Sequence, residues 1–200
     1  MRGRLTRAEL LASGASTIVL ALLPAGAQAA TPSAPPGVLP AADLAYARLL
    51  ICFELLAIDF YENALRARHL DGPATAQVRA ALANERAHYA YLADAITTAG
   101  GTPLTATDVN FSYPAATFYT ARSLKRLALE LETLTLGAYV GAGGAVVTPA
   151  LASALAQITA NEAQHQSVFA RLDGQPPFDA PFPPILTIEE ASNALSRYTS

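Results

Sequence analysis

The chain of 200 residues has one cysteine, three histidines and 13 lysines and arginines combined. A single thiol cannot close an intrachain disulfide, and it excludes zinc ribbons and iron–sulfur clusters built on several thiolates. The basic residues are spread thinly and the formal net charge is −3, which excludes the basic stripe of a nucleic-acid-binding surface. The N-terminal apolar run, residues 10–23, is interrupted by Ser13, Gly14, Ser16 and Thr17. It falls short of the roughly 20 predominantly apolar residues of a membrane-spanning helix. Charged residues make up only 14%, whereas hydrophobic residues make up 52%. That balance excludes disorder and provides a core for one domain with a tail.

Arg2, Arg4 and Arg7 precede the apolar run, and Ala27-Gln28-Ala29 follows it with the small-x-small pattern of a cleavage site. Residues 1–29 are therefore read as an export signal, and the protein as periplasmic or extracellular with no stable membrane span after cleavage. Thr6-Arg7-Ala8-Glu9-Leu10-Leu11 is similar to a twin-arginine signal but has a single arginine, so both the general and the twin-arginine routes stay open. Removing three arginines and Glu9 shifts the formal charge from −3 to −5. Residues 30–40, rich in Pro, Ser and Ala, read as a flexible linker.

Residues 41–174 carry four amphipathic patterns of helical period. The first, about 41–68, has an inward stripe of Leu50, Glu54, Ala57, Tyr61 and Leu65. The second opens near Pro73 and stops at Gly100-Gly101, with Ala81, Glu85, His88, Leu92 and Ala95 inward. The third begins near Thr117 and weakens at Gly141 and Gly143-Gly144. Its inner face is Ala128, Leu131, Glu132, Thr135, Tyr139 and Ala142, with Arg126, Glu130, Thr133 and Gly137 opposite. The fourth runs from Pro149 to Asp173-Gly174, with Leu151, Leu155, Ile158, Glu162, His165, Phe169 and Leu172 at strict three-four spacing. Connections one-to-two and three-to-four are short, so each pair forms an antiparallel hairpin. Residues 101–116 can extend to about 50 Å, longer than a helix of about 25 residues at roughly 37 Å. The expected fold is all-α: two hairpins joined by a long crossover. The tail, 175–200, is rich in Pro and Phe and reads as a strap over the bundle. It ends in a short helix opened at Thr187 by a capping box with Glu190.

Polar residues interrupt the inward stripes in a repeated pattern. Glu85-Arg86-Ala87-His88 and Glu162-Ala163-Gln164-His165 are both Glu-x-x-His, which places carboxylate and imidazole on one helix face. Helices one and three add Glu54 and Glu132, each followed seven residues later by a tyrosine, Tyr61 or Tyr139. Glu54-Leu55-Leu56-Ala57-Ile58-Asp59-Phe60-Tyr61 mirrors Glu132-Thr133-Leu134-Thr135-Leu136-Gly137-Ala138-Tyr139. The interval from Glu54 to Glu85 is 31 residues and that from Glu132 to Glu162 is 30, the mark of a duplicated helical hairpin. Nine Glu and three His placed at random would give roughly 0.13 Glu-x-x-His matches, so two in register are not incidental. Four carboxylates inside an apolar bundle repel and lose hydration, at several kcal/mol per ion. Two divalent cations balance them, and two neutral imidazoles complete an oxygen–nitrogen ligand set suited to iron or manganese. Tyr61 and Tyr139 read either as hydrogen-bond partners of these carboxylates or as plain core aromatics.

These residues resemble the ferritin-like superfamily, and within it the bacterial ferritin-like domain proteins related to plant desiccation-related proteins. The resemblance spans about 41–173, including Phe53-Glu54 through Phe60-Tyr61 and Leu131-Glu132 through Ala142. It implies a ferritin-like four-helix bundle with metal ligands Glu54, Glu85, His88, Glu132, Glu162 and His165, Glu85 and Glu162 bridging. It also implies two divalent metal ions, iron favoured over manganese, and a ferroxidase or peroxide-consuming oxidoreductase with oxygen or peroxide as small-molecule partner. The alternative reading is a non-enzymatic structural or stress-protection module of the cell envelope. Ala57 stands where many relatives carry a second acidic residue, which removes that extra ligand but none of the six. Nothing in the pattern bars a homo-oligomer. His69 reads as a helix C-terminal cation, Asp59 and Glu62 as a solvated flank, and Cys52 as buried and inert. Glu130 faces away from Glu132. Mass spectrometry of the exported protein is expected to give a mature chain beginning at Ala30; an uncut N-terminus contradicts the signal.

Overall fold

The computed structural model of the protein describes residues 37–178 and 180–199. The predicted signal, 1–29, and the first part of the predicted linker lie outside the described residues. The elements are α1 (Ala41–Ala67), α2 (Gly72–Thr98), α3 (Ala121–Ala145), α4 (Pro149–Leu172) and the short α5 (Ile188–Leu195), with a 3-10 turn, Thr117–Tyr119, before α3. Among the described residues there is no strand, only an isolated antiparallel bridge between Phe111 and Thr199.

Local chemistry sets the helix ends. The Asp71 carboxylate accepts the Ala74 N–H at 2.8 Å, with Pro73 in the first turn of α2. At the other end Gly100 takes φ +80°, where a Cβ would be strained. The Gly100 N–H then reaches the Thr97 carbonyl and the Gly101 N–H the Ile96 carbonyl, a Schellman closure. Helix α4 ends in the same way on Gly174, whose N–H bonds Arg171 while that of Gln175 bonds Ala170. Thr187 and Glu190 form the expected capping box of α5.

Helix α3 departs from the expectation at both ends. A 3-10 turn occupies Thr117–Tyr119, and the helix itself starts after Thr120, whose hydroxyl accepts the Ser123 N–H. Instead of weakening at its glycines, α3 continues to Ala145. The tail crosses it there: a Cβ on Gly141 would stand 1.8 Å from the Leu186 carbonyl oxygen, so only glycine permits the approach. Gly137, expected on the outward face, is covered by the Leu186 side chain and accepts the Leu186 N–H at 3.0 Å. Docking of the strap offsets the roughly 1 kcal/mol that each glycine costs a helix.

The hairpins α1–α2 and α3–α4 lie side by side, α1 against α3 and α2 against α4. Both cross-pairs are antiparallel: Tyr61 meets Glu132 while Tyr139 meets Glu54, and His88 meets Glu162 while Asn84 meets His165. The crossover gives this arrangement its sense. It leaves α2 beside Leu104, whose carbonyl accepts the Tyr89 hydroxyl, and climbs α1 to Tyr113, which donates to Asp59 at 2.8 Å. The result is hairpin, crossover, hairpin, a helical bundle of ferritin-like topology with a short C-terminal helix. Leu39, assigned to the linker, joins the core beneath α1. Asp59 and Glu62, expected on a solvated flank, are half-buried, the first under Tyr113 and the second 2.8 Å from Arg86. Cys52, expected buried, is half-buried and donates its thiol to the Arg48 carbonyl. No helix among the described residues is long and apolar enough to cross a membrane.

One buried polar contact ties the first helix to the second hairpin. Asp43, fully buried in the first turn of α1, accepts the Val147 N–H at 3.1 Å and the Thr148 N–H at 2.8 Å. It thereby satisfies backbone donors where α4 begins. Burial works against this carboxylate, but the Thr148 hydroxyl and the two amides hold its pKa below the ordinary value. A depressed folded pKa means the contribution is complete above about pH 4, the unfolded value, and fades as pH falls through the folded one. Asp43→Ala is expected to destabilise the fold by about 1–3 kcal/mol at pH 7, by leaving the Val147 and Thr148 amides without their acceptor. The loss should shrink below pH 4; chemical denaturation at several pH values checks this, and no loss at pH 7 contradicts it.

Candidate metal centre

Glu54, Glu85, His88, Glu132, Glu162 and His165 each occupy an inward position on a regular helix, and the four helices bring all six together at mid-bundle. Glu54, Glu85 and Glu162 have no exposed surface, Glu132 has 2%, and His88 and His165 have 9% and 7%. Both imidazoles turn Nδ1 inward. His88 Nδ1 lies 3.0 Å from Glu162, 3.3 Å from Glu85 and 3.6 Å from Glu54. His165 Nδ1 lies 2.9 Å from Glu85, 3.6 Å from Glu132 and 3.7 Å from Glu162. Each histidine therefore faces the glutamate of its own motif, that of the other motif and one from α1 or α3.

Two overlapping groups result. Glu54, Glu85, His88 and Glu162 each offer one ligand atom within 4.8 Å of the others, and so do Glu85, Glu132, Glu162 and His165. Glu85 and Glu162 belong to both groups. Such clusters of buried oxygen and imidazole donors can hold metal ions. Several of these atoms have no other use: Glu54 Oε2, Glu85 Oε1, both Glu162 oxygens and His165 Nδ1 are buried without a hydrogen bond. A buried polar atom left unpaired costs about 1–3 kcal/mol, more when charged, so the donor set fits cations.

The tyrosines resolve in favour of hydrogen bonding. Tyr61 on α1 donates to Glu132 Oε1 on α3, and Tyr139 on α3 donates to Glu54 Oε1 on α1. Each hairpin thus fixes the lone carboxylate of the other, and Phe169 stacks on Tyr61 at 5.5 Å between ring centres. Burial pushes both phenol pKa values well above the ordinary one, with neighbouring carboxylates adding to it, so they remain donors.

Without a cation, protons must supply the missing positive charge. Burial, reinforced by Glu85, holds the Glu54 carboxyl well above its usual pKa. Burial with Glu162 and Glu85 does the same to Glu132. Burial opposes charge on the imidazoles, but the carboxylates that face them outweigh it, raising both, His88 to about 12. Glu85 is also penalised by burial, yet the facing His165 and His88 hold it at about 2.

The remaining sequence expectations fall outside the cluster. His69 is exposed beyond the end of α1, and Glu130 accepts the Tyr198 hydroxyl at 2.7 Å on the far side of α3. Sequence reasoning missed Asn84, which precedes Glu85 and lies 3.0 Å from His165 Nε2. A signal for it existed, since Ala83-Asn84-Glu85 and Ala160-Asn161-Glu162 repeat the same triplet. Asp43 had no such signal, because its partners lie more than 100 residues away.

Four groups with raised folded pKa values mean that the metal-free fold holds more protons than the unfolded chain. The contribution of these four groups to stability is then complete below about pH 4 for the glutamates and 6.5 for the histidines, and is lost as pH rises. The melting temperature of chelator-treated protein is expected to fall steadily from pH 5 to 9, and added Mn(II) should remove most of that slope. A flat or rising profile contradicts the electrostatic account.

No curated protein matches the chain. The family model of the ferritin-like domain matches residues 42–175, a segment holding all four long helices, both Glu-x-x-His motifs and the crossover. By that match the chain belongs to the ferritin-like domain family.

Proposed function

We propose that the protein is an exported dinuclear metalloprotein that oxidises Fe(II) with oxygen or peroxide. One cation would be held by Glu54, Glu85, His88 and Glu162 and the other by Glu85, Glu132, Glu162 and His165. The observation that carries this reading is the overlap of the two groups on Glu85 and Glu162, of which Glu85 Oε1 and both Glu162 oxygens are buried without a hydrogen bond. Iron is favoured and manganese is the second choice for such donors. Such a pair of cations, when bound, would supply electrons to an oxidant and charge to stabilise its reduced form.

The chain's own residues set the conditions for that chemistry. Tyr61 and Tyr139 engage Oε1 of Glu132 and Glu54, leaving the Oε2 atoms directed at the histidines. The core around the centre excludes bulk water, while the slight exposure of the imidazoles marks the side nearest to solvent. Residues 1–29 support export to the periplasm or beyond. Iron storage forms no part of the proposal.

Metal-depleted protein is expected to take up two Fe(II) or Mn(II) per chain, with proton release, and to oxidise Fe(II) when oxygen or peroxide is added. Glu85→Ala should weaken uptake at both positions by more than the 10–100-fold that losing an outer partner typically costs (about 100-fold or more). Metal analysis and stopped-flow absorbance check this. Two ions without turnover favour the structural, non-enzymatic module, and no uptake of either metal contradicts the dinuclear reading.

A further inference from the structure

Each half of the duplication reads Asn-Glu-x-x-His: Asn84-Glu85-Arg86-Ala87-His88 on α2 and Asn161-Glu162-Ala163-Gln164-His165 on α4. Asn84 reaches toward the facing helix. Asn84 Nδ2 lies 3.0 Å from His165 Nε2, across 81 residues of sequence. That ring's other nitrogen, Nδ1, stands among Glu85, Glu132 and Glu162. The ring is therefore gripped at both ends, by carboxylates within and an amide without.

We propose that Asn84 is a positioning residue, whose amide holds the His165 imidazole with Nδ1 aimed into the carboxylate cluster. The inference rests on the dinuclear reading for its purpose and on the observed contact for its geometry. An amide suits the task because it can satisfy Nε2 in either state. Nδ2 donates to a bare Nε2; after a half-turn about its last side-chain bond, Oδ1 accepts from a protonated one. When Nδ1 gives its lone pair to a cation, a neutral ring carries its proton on Nε2, and Oδ1 receives it. An outer partner of this kind fixes both the tautomer and the orientation of a ligating imidazole.

The two halves differ at this point. Among the described residues no bond between Asn161 and His88 matches the one between Asn84 and His165. Asn161 instead lines, with Asn84, Gln77, Gln164 and His165, a cleft of about 140 Å³ between α2 and α4. The cleft has room for water, at roughly 30 Å³ per molecule. Truncation at Asn84 would let water take the place of the amide. The stricter variant is Asn84→Leu, which has similar bulk and no hydrogen-bonding atom. Asn84→Asp keeps an acceptor for the Nε2 proton.

The test measures two properties of the full mature chain. The first is the nitrogen-15 and Nε2-proton NMR signature of His165 in metal-free protein. The second is stepwise Mn(II) affinity by chelator competition. Wild type should show a slowly exchanging or hydrogen-bonded Nε2. In Asn84→Leu that signature should be lost and one of the two Mn(II) affinities should fall by about 10–100-fold. Asn84→Asp should restore both, and Asn161→Leu should leave both unchanged. Asn84→Leu with an unaltered ring signature and both affinities intact overturns the proposal, as does Asn84→Asp no better than Asn84→Leu. If wild type takes up no Mn(II), the dinuclear reading fails while the ring signature still decides whether Asn84 orients His165.

Discussion

Four carboxyl groups at the middle of an apolar bundle are the constraint on which the structure turns. Glu54, Glu85, Glu132 and Glu162 are essentially without solvent, where an unpaired charge costs several kcal/mol. Positive charge must reach them, as protons or as cations. The protonic solution is visible in the raised pKa values of Glu54, Glu132 and both histidines. It is incomplete, because buried oxygens of Glu54, Glu85 and Glu162 still find no hydrogen bond. A pair of cations, as proposed, would meet the same demand with the donors already in place. Other features serve that centre: the tyrosine crosses between hairpins and the crossover that sets the helix directions.

Duplication explains much of the economy of the design. Two copies of one hairpin, facing each other across a pseudo-two-fold axis, supply six donors from a two-motif vocabulary. They also supply reciprocal bonds, Tyr61 to Glu132 and Tyr139 to Glu54. The halves have nevertheless diverged. Helix α3 carries Gly137 and Gly141 under the strap, where α1 has Asp59 and Asn63 at the matching intervals after its own glutamate. Asn84 bonds the opposite histidine whereas Asn161 lines a cleft. A centre built by symmetric copies thus has two unequal ends.

Much of this was legible in the sequence because it is local. Helical periodicity placed Glu85 with His88 and Glu162 with His165 on shared faces, and Gly100, Gly174 and Thr187 marked helix ends through short-range bonds. The length of 101–116 was enough to allow the crossover. What escaped depends on contacts between distant segments. Nothing near Asp43 announces a bond to Val147 and Thr148. The glycines of α3 read as a weak helix end until Leu186 is laid over them. Asp59 looks like a surface carboxylate unless Tyr113, 54 residues away, is known to cover it. Asn84 is the intermediate case: its repetition beside each glutamate was visible, but its partner lies on another helix.

The most direct measurement is anomalous diffraction from crystals of natively purified protein, collected on both sides of the iron and manganese absorption edges. The account predicts two anomalous peaks at mid-bundle, both within bonding distance of Glu85 and Glu162, one near His88 and the other near His165. A map with no peak among the four carboxylates, in protein whose six side chains still converge there, would contradict it.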